Sequence, residues 1–246
     1  MPHFFISSSD KKQDIITISD KDNFHHIARV LRAKIGETLV LIDENQTQYK
    51  VIVENISKNA ITTKVVESTK SNHKLNLQLF LAQSVLKTDA QNFVIQKATE
   101  LGVKGIIPLT SDNCVVKTSV IDAKIDKWQK IANEAVKQCE RTDFPEIKGR
   151  TTLADFLKNT DYNIKIACVE RGENSSLRAC LQSLKPAPND KIALIIGPEG
   201  GFSAAELELL EHDNSVYKVS LGKLILRAET AVVSALSNTI YELEHE

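Results

Sequence analysis

The amino-acid sequence predicts an α/β protein in which a parallel sheet carries helices on both faces and a small β-barrel precedes it. Two observations lead to this prediction. Residues 75–246 alternate short apolar runs with amphipathic helical segments, the pattern of a parallel sheet between layers of helices. Residues 1–70 instead hold short runs in which apolar and polar residues alternate, as in half-buried antiparallel strands. The polar residues 68–74 are predicted to link these two domains.

Each element is predicted from its local pattern. In the N-terminal part, strands are predicted at residues 4–6, 15–18, 38–42, 49–53 and 61–66, and one helix at 24–34. In the second part, buried strands are predicted at 77–81, 105–109, 164–169, 192–196 and 216–220. Helices are predicted at 91–101, 127–140, 204–211 and 230–243, where apolar residues recur at helical spacing. Strands and helices therefore alternate through the second part.

Composition limits the classes of protein to consider. Apolar residues make up 42% of the chain and charged residues 26%, as in ordinary soluble globular proteins. The formal net charge is −1, so binding to nucleic acid would depend on a local basic patch rather than on an overall positive field. No apolar run approaches the ~20 residues that cross a bilayer, and the N-terminus lacks the features of a secretory signal. A cytoplasmic protein is therefore expected.

The cysteines give no sign of a metal centre. Cys114, Cys139, Cys168 and Cys180 lie far apart and have no C-x-x-C spacing. They are predicted to be reduced and mostly buried thiols, and neither zinc ligands nor a redox pair. No metal is expected.

A glycine-rich turn follows one of the predicted buried strands. Residues 197–201 read Gly-Pro-Glu-Gly-Gly and force a tight turn with few side chains, after which Ser203 and Glu206 form a capping box that starts a helix. Open α/β sheets bind ligands where a strand ends in such a turn, and N–H groups at the helix start are expected to be free to donate. P-loop and dinucleotide-binding patterns are absent. The turn is predicted either to hold a cofactor through backbone groups or to be purely structural.

Two further segments give this turn a context: residues 95–103, Ile-Gln-Lys-Ala-Thr-Glu-Leu-Gly-Val, and residues 221–231, Leu-Gly-Lys-Leu-Ile-Leu-Arg-Ala-Glu-Thr-Ala. Together the three segments resemble the small-subunit ribosomal RNA uridine-N3 methyltransferases, a family of the SPOUT class. The resemblance is dense over residues 80–246 and looser over 1–70. It implies a deep trefoil knot that binds S-adenosylmethionine and releases S-adenosylhomocysteine. It also implies a PUA-like N-terminal domain that engages RNA, and a homodimer.

The resemblance, the glycine-rich turn at 197–201 and the segment 221–231 suggest a set of cofactor-binding residues. These are Ile196, Gly197, Pro198, Glu199, Gly200, Gly201, Leu221, Gly222, Leu226, Thr230 and Ala231. For Glu199 two interpretations stay open, a solvent-facing acid or a hydrogen bond to the cofactor or to a partner subunit. The segment 221–226 would form an apolar slot around the adenine or merely cap the sheet. Lys223-Leu224 replaces the Pro-Arg that is common in the family, so no role is given to Leu224.

Arg227 and Glu229 are the candidate catalytic residues. Methyl transfer to uridine N3 needs alignment of the two reactants and a donor that stabilises negative charge on the uracil carbonyl oxygens. Arg227 is the candidate donor, and either Glu229 or water is the candidate acceptor of the N3 proton. The alternative is an ion pair at the helix start, where the helix dipole favours an acid.

RNA contacts are predicted at four residues. His25, Arg29 and Arg32 are spaced i, i+4 and i+7, so on a helix they form one cationic ridge. Arg141 matches a family position and is expected on the polar side of the helix at 127–140. The alternative for all four is an ordinary solvated surface. At residues 87–90 the family shows Lys-Gly-Asp-Arg, whereas this chain has Lys-Thr-Asp-Ala, so no role is assigned there.

The sequence thus predicts methylation of uridine N3 in small-subunit (16S) ribosomal RNA, with the target base unpaired or flipped into the pocket. Three alternatives stay open. One is a related SPOUT enzyme that acts on the ribose 2′-hydroxyl or on another base. Another is an RNA-binding protein with a vestigial pocket. The third is an enzyme of small nucleotides that does not use RNA.

Overall fold

The computed structural model describes residues 3–70, 74–170 and 175–244, and the chain divides into two compact units. The N-terminal unit comprises Met1–Lys74 and Val136–Asp143, and the C-terminal unit comprises Leu75–Ala135 and Phe144–Glu246. The predicted division had assigned all of 75–246 to one part, whereas the fold groups Val136–Asp143 with the N-terminal residues. The functions assigned to residues 1–70 and 75–246 stay predictions.

The N-terminal unit is built on a six-stranded sheet. Its strands are β1 (His3–Ile6), β2 (Lys11–Lys12), β3 (Ile15–Ile18), β4 (Thr38–Asp43), β5 (Thr47–Ile56) and β6 (Ile61–Lys70). Their order is β1-β4-β5-β6-β3-β2, and β1 pairs with β4 in parallel while the other pairs are antiparallel. Among the described strands the sheet is therefore mixed and open, with β1 and β2 at opposite ends of the order, so the predicted β-barrel is not confirmed.

Local patterns explain most of this sheet. In β5 the side chains of Tyr49, Val51 and Val53 are buried while those between them are exposed, which is the alternation of a half-buried strand. The buried residues pack into one core with Phe4, Ile16 and others. Strand β6 continues to Lys70, so residues 68–70 of the predicted linker are strand, and 71–73 lie outside the described residues.

The helix predicted at residues 24–34 is shorter than predicted. Helix α1 (Lys21–His25) begins after Asp20, whose side chain accepts a hydrogen bond from the backbone N–H of Asn23 at 2.8 Å. One π-helical segment, His26–Val30, follows it and ends the helical run. Leu31 and Ile35, which follow the end of this run, are 42% and 67% exposed.

The C-terminal unit contains a parallel sheet. Its strands are β7 (Gln78–Ser84), β8 (Gly105–Thr110), β9 (Glu146–Ile147), β10 (Thr151–Thr152), β11 (Ile164–Cys168), β12 (Ser175–Ser176), β13 (Lys191–Ile196) and β14 (Val216–Ser220). The order is β10-β8-β7-β13-β11-β14-β12, and β9 pairs with β8. The five predicted strands are confirmed as β7, β8, β11, β13 and β14, and the prediction missed the three two-residue strands.

The remaining helices are α2 (Thr88–Glu100), α3 (Thr118–Asp122), α4 (Ile125–Cys139), α5 (Leu153–Leu157), α6 (Leu177–Ser183), α7 (Ala204–His212) and α8 (Ala228–Leu243). The predicted helices correspond to α2, α4, α7 and α8, while the short helices α3, α5 and α6 were missed.

Helices cover both faces of the parallel sheet, as predicted. Along β13, Ile192, Leu194 and Ile196 enter one core cluster, which also contains residues of α2 and α8. The alternate residues Ala193 and Ile195 enter the other cluster, with residues of α5 and α7. Both faces are therefore apolar, and this explains why the strands read as nearly continuous apolar runs. Parallel strands also bring their carboxyl ends to one edge, where the loops after β11, β13 and β14 meet.

Candidate functional site

A cavity of about 910 Å³ lies at the carboxyl ends of β11, β13 and β14. The segments that line it are 87–90, 168–170, 196–202, 220–222 and 224–229, together with Leu207 and Ala231. Ligands bind at this edge of open parallel sheets, and the volume lies in the range of small-molecule sites. Two turns predicted from the sequence, at 197–201 and 221–226, are thus brought together in one cavity.

The glycine turn is tight and closely packed. The backbone N–H of Gly201 donates to the carbonyl oxygen of Pro198 at 2.9 Å, and the φ of Gly201 is 71°, in the left-handed region that favours glycine. A Cβ at Gly197 would lie 3.2 Å from the ring of Phe202. The buried amide of Gln83, at the end of β7, donates to the carbonyl oxygen of Gly197 at 3.3 Å. Backbone atoms therefore form this wall of the cavity.

Glu199 has a role that neither sequence interpretation contained. Its side chain is exposed, and Oε1 accepts a hydrogen bond from the backbone N–H of Lys87 at 3.2 Å. This contact joins the glycine turn to residues 87–90, which also line the cavity. The sequence analysis gave that loop no role, although it too lies between a strand and a helix.

The predicted capping box at the start of α7 is confirmed. The backbone N–H of Glu206 donates to Ser203 Oγ at 3.2 Å, and the backbone N–H of Ser203 donates to Glu206 Oε2 at 2.8 Å. These two N–H groups are therefore occupied, and the expectation that the helix-start N–H groups are free is wrong for them.

The turn after β14 forms the second wall. Gly222 has a φ of 135°, and Ser220 Oγ donates to its carbonyl oxygen at 3.0 Å and accepts from its N–H at 3.2 Å. Leu221 and Leu226 are half-buried and line the cavity as predicted. Leu224 and Ile225 also border it but are 81% and 63% exposed, so the apolar slot is open on their side.

Arg227 and Glu229 both line the cavity at the start of α8. Arg227 is the N-cap residue, and its side chain is exposed and therefore accessible to a ligand. Glu229 is half-buried in the first turn, where the helix dipole favours an acid. Thr230, predicted to bind the cofactor, is exposed and is not among the described residues that line the cavity, because it projects from another side of that turn.

The cavity also contains residues that sequence reasoning missed. Cys168 is the last residue of β11 and Glu170 lies shortly after it, while Phe202 follows the glycine turn. Burial, and then the nearby Cys180, raises the pKa of the Cys168 thiol to about 12, so it stays protonated at neutral pH and is not an activated nucleophile. The ends of neighbouring parallel strands are the signal that would have found Glu170.

The four predicted RNA-binding residues all belong to the N-terminal unit. His25 and Arg29 are exposed on the helical run. Arg32 is exposed too, but it lies beyond the helix with a φ of 54°. The predicted ridge with regular α-helical spacing is therefore wrong, because the run turns π-helical and ends at Val30.

Arg141 differs more from its prediction. It lies after the end of α4 rather than on its polar side, and its side chain is buried. Its Nε donates to Asp143 Oδ1 at 3.0 Å. The geometry thus gives Arg141 a pairing partner within the unit, and its contact with RNA stays a prediction.

In residues 3–70, 74–170 and 175–244 no cluster of His, Cys, Asp and Glu has the arrangement of a metal site. Within the same ranges no helix is long and apolar enough to cross a membrane. No disulfide joins any of the four cysteines, all of which lie within the described residues.

Comparison with known proteins gives the site a context. The family model described as an RNA methyltransferase domain matches residues 73–240, and the model described as an RNA methyltransferase PUA domain matches residues 18–66. The first match contains every segment that lines the cavity.

Relatives and solved structures agree with these matches. Proteins of Rickettsia conorii and Bacillus subtilis, both named ribosomal RNA small subunit methyltransferase E, are 31% identical to this chain. The alignments cover 95% of this chain and 92% of the Rickettsia protein, and 91% of this chain and 89% of the Bacillus protein. A Legionella pneumophila protein, described as a methyltransferase and solved with bound SAM, is 28% identical with a TM-score of 0.85 over 97% of this chain and 96% of its own. The chain belongs to the RNA methyltransferase family.

Proposed function

We propose that this protein transfers the methyl group of S-adenosylmethionine to N3 of a uridine in small-subunit ribosomal RNA. The observation that carries the proposal is the cavity between the turns 197–201 and 221–226, with the exposed side chain of Arg227 at its border. The names of the Rickettsia and Bacillus relatives support the substrate, and the bound SAM of the Legionella protein supports the cofactor. The cytoplasm, where ribosomal subunits assemble, is the proposed location.

The cavity residues fit S-adenosylmethionine. At Gly197 a Cβ would crowd the ring of Phe202, so this wall has no room for a side chain and presents backbone groups. Leu221 and Leu226 offer apolar surface for an adenine ring, while Glu170 offers a carboxylate to the cationic methionine part. Ile196 to Gly201, Leu221, Gly222, Leu226 and Ala231 are the proposed contacts. Thr230 lies next to these residues in the chain and is not itself proposed as a contact.

We further propose that the segments around these two turns form the trefoil knot of the SPOUT class. The chain passes from β11 to β13 and then to β14, yet β11 lies between the other two in the sheet. Both turns therefore reach the cavity from opposite sides of the end of β11. The order of these strands along the chain thus differs from their order in the sheet. This difference supports a compact arrangement in which the cofactor is bound between consecutive loops.

The proposed chemistry is a single displacement. When bound, S-adenosylmethionine supplies an electrophilic methyl carbon, whose bond to sulfur breaks as the bond to uridine N3 forms. Arg227 donates hydrogen bonds to the uracil carbonyl oxygens on which negative charge develops. Glu229, or water held near it, accepts the N3 proton. Because Arg227 is the N-cap of α8 and Glu229 lies in its first turn, the helix start aligns the base with the methyl group.

RNA binding is proposed for the PUA-like N-terminal unit. His25, Arg29 and Arg32 are exposed and cationic or titratable, and a chain with a net charge of −1 needs such a local patch. Arg141 contributes to RNA binding only if its guanidinium leaves Asp143 and binds a phosphate of the RNA instead. A homodimer is proposed as the active assembly, by resemblance to the family.

The experiment that tests the function uses radiolabelled S-adenosylmethionine and small ribosomal subunits that lack the modification. The RNA is digested and the labelled nucleoside is identified. Label in 3-methyluridine that is lost in Arg227→Ala supports both the reaction and the site. Label in a 2′-O-methyl nucleoside or in another base keeps the methyltransferase activity and overturns the N3 assignment. Absence of label, with cofactor binding measured separately, points to another substrate.

A further inference from the structure

A loop outside the cavity contacts the glycine turn. In the part of the chain that the structure describes, residues 111–114, which follow β8, do not line the cavity. Yet Asn113 Nδ2 donates to the carbonyl oxygen of Gly201 at 3.0 Å and to that of Gly200 at 3.4 Å. A Cβ at Gly200 would lie 3.1 Å from Asn113 Cβ. The 111–114 loop therefore packs directly against the outer side of the turn.

The same loop also holds the start of α7. Ser203 Oγ donates to Asp112 Oδ2 at 2.5 Å, and the backbone N–H of Asp112 donates to Glu206 Oε1 at 3.1 Å. Ser203 and Glu206 are the two members of the capping box. The loop thus contacts the turn and the helix that follows it through two adjacent residues.

The contacts of Asn113 determine the direction of two peptide groups. In a planar trans peptide the C=O and the N–H point in opposite directions. Holding the carbonyl oxygens of Gly200 and Gly201 therefore directs the N–H groups of Gly201 and Phe202 away from Asn113. The N–H of Gly201 donates to Pro198 within the turn. The N–H of Phe202 therefore points away from the 111–114 loop. Phe202 itself lines the cavity.

Glycines need such an external contact because they have no side chain to restrict their backbone. Gly200 and Gly201 are adjacent, and both line the cavity. A wall of this kind binds a ligand tightly only when its conformation is already set before binding. One amide side chain that holds both carbonyl oxygens supplies this restriction.

We propose that Asn113 is a positioning residue for the cofactor, acting through the peptide groups of Gly200 and Gly201 and not by touching the cofactor. The inference rests on the proposed function in one respect, namely that S-adenosylmethionine occupies this cavity. It assigns to the 111–114 loop control over cofactor affinity, while the alignment of uracil stays with Arg227.

The test replaces Asn113 by aspartate in the full-length protein. The shape is nearly unchanged, but the donor becomes a carboxylate oxygen that faces two carbonyl oxygens. Asn163→Asp is the matched control, since Asn163 Oδ1 only accepts a hydrogen bond, from the backbone N–H of Lys191 at 3.0 Å, and aspartate keeps that acceptor with the same change of charge. Asn113→Ser is a second variant, used if Asn113→Asp shows no cooperative thermal transition.

The measurements are the dissociation constant for S-adenosylmethionine by calorimetry, and kcat and KM with ribosomal subunits. Loss of two hydrogen bonds of ordinary strength is expected to raise the dissociation constant and the KM for the cofactor about tenfold. The kcat at saturating cofactor and the KM for the subunits are expected to stay unchanged, and Asn163→Asp is expected to behave like the wild type.

Two outcomes overturn the inference. The first is a dissociation constant for Asn113→Asp or Asn113→Ser equal to that of a wild type that does bind. The second is a fall in kcat and melting temperature with unchanged cofactor affinity, which would make Asn113 a merely structural residue. If the wild type itself does not bind S-adenosylmethionine, the proposed function fails first, and that result is distinct from both.

Discussion

Replacing Gly201 by alanine separates backbone strain from crowding at the glycine turn. Gly201 has a φ of 71°, and a Cβ there would lie 2.6 Å from Glu170 Oε1. A left-handed backbone costs an L-residue with a side chain about 1–2 kcal/mol. The carboxylate is the end of a flexible side chain, so it moves aside at small further cost to stability. The free energy of unfolding is therefore expected to fall by about 1–2 kcal/mol.

Two other glycines provide matched controls. Gly36 has a φ of 89° with nothing within 4 Å of an added Cβ, so Gly36→Ala carries the strain without the crowding. Gly149 also has open space, and its φ lies outside the left-handed region, so Gly149→Ala is expected to be neutral or slightly stabilising. The stability loss of Gly201→Ala should match that of Gly36→Ala, because both arise from the same backbone conformation.

The affinity for S-adenosylmethionine distinguishes the two strained variants. In Gly201→Ala the methyl group displaces the Glu170 carboxylate or the turn itself, and both line the cavity. The dissociation constant is expected to rise about tenfold, which corresponds to about 1.4 kcal/mol. Gly36→Ala is expected to bind like the wild type. Thermal or urea unfolding gives the stability and calorimetry gives the affinity. Equal affinities in both variants would refute the reasoning.

Three further predictions concern the helix starts, catalysis and pH. Arg227→Ala is expected to lower kcat by roughly 10²–10³-fold with unchanged cofactor affinity. The control Arg150→Ala breaks a surface ion pair with Asp122 and is expected to leave kcat unchanged. Equal kcat in both variants would contradict the role of Arg227. Ser203→Ala removes the N-cap of α7 and should cost about 1 kcal/mol in urea unfolding, and an unchanged midpoint would count against the capping box. The pKa of the Cys168 thiol is raised from 9.0 to about 12 in the fold, so the folded state holds this proton more tightly. The stabilisation from this thiol is therefore complete below pH 9 and is lost as the pH rises towards 12. Unfolding in reductant at pH 8 and pH 10.5 should show this loss of stability, and Cys168→Ala should make the loss smaller.

The sequence alone determined much of the C-terminal unit. The five main strands and four main helices follow from apolar periodicity, and the capping box of Ser203 and Glu206 follows from spacing. These are local signals, read within a window of a few residues. The two turns that wall the cavity were also identified this way, because glycine is required where the backbone adopts a left-handed conformation or leaves no room for a side chain.

The N-terminal unit shows where local signals fail. Periodicity over 24–34 predicted a regular α-helix, but the helical run turns π-helical at His26–Val30 and stops. Strand alternation was read correctly, yet it does not reveal that β1 pairs in parallel with β4 and leaves the sheet open. Such pairings connect segments distant in sequence, so no short window contains them.

Only the tertiary structure decided what holds the glycine turn. Glu199 reaches the backbone of Lys87, which is 112 residues away in sequence, and Asn113 reaches Gly201, which is 88 residues away. These contacts exist because β8, β7 and β13 are neighbours in the sheet, so the loops at their carboxyl ends meet. The sequence by itself determined which residues make the turns, since a turn depends on the conformational range of its own residues. Their partners depended on strand order, which the packing of the whole unit decides.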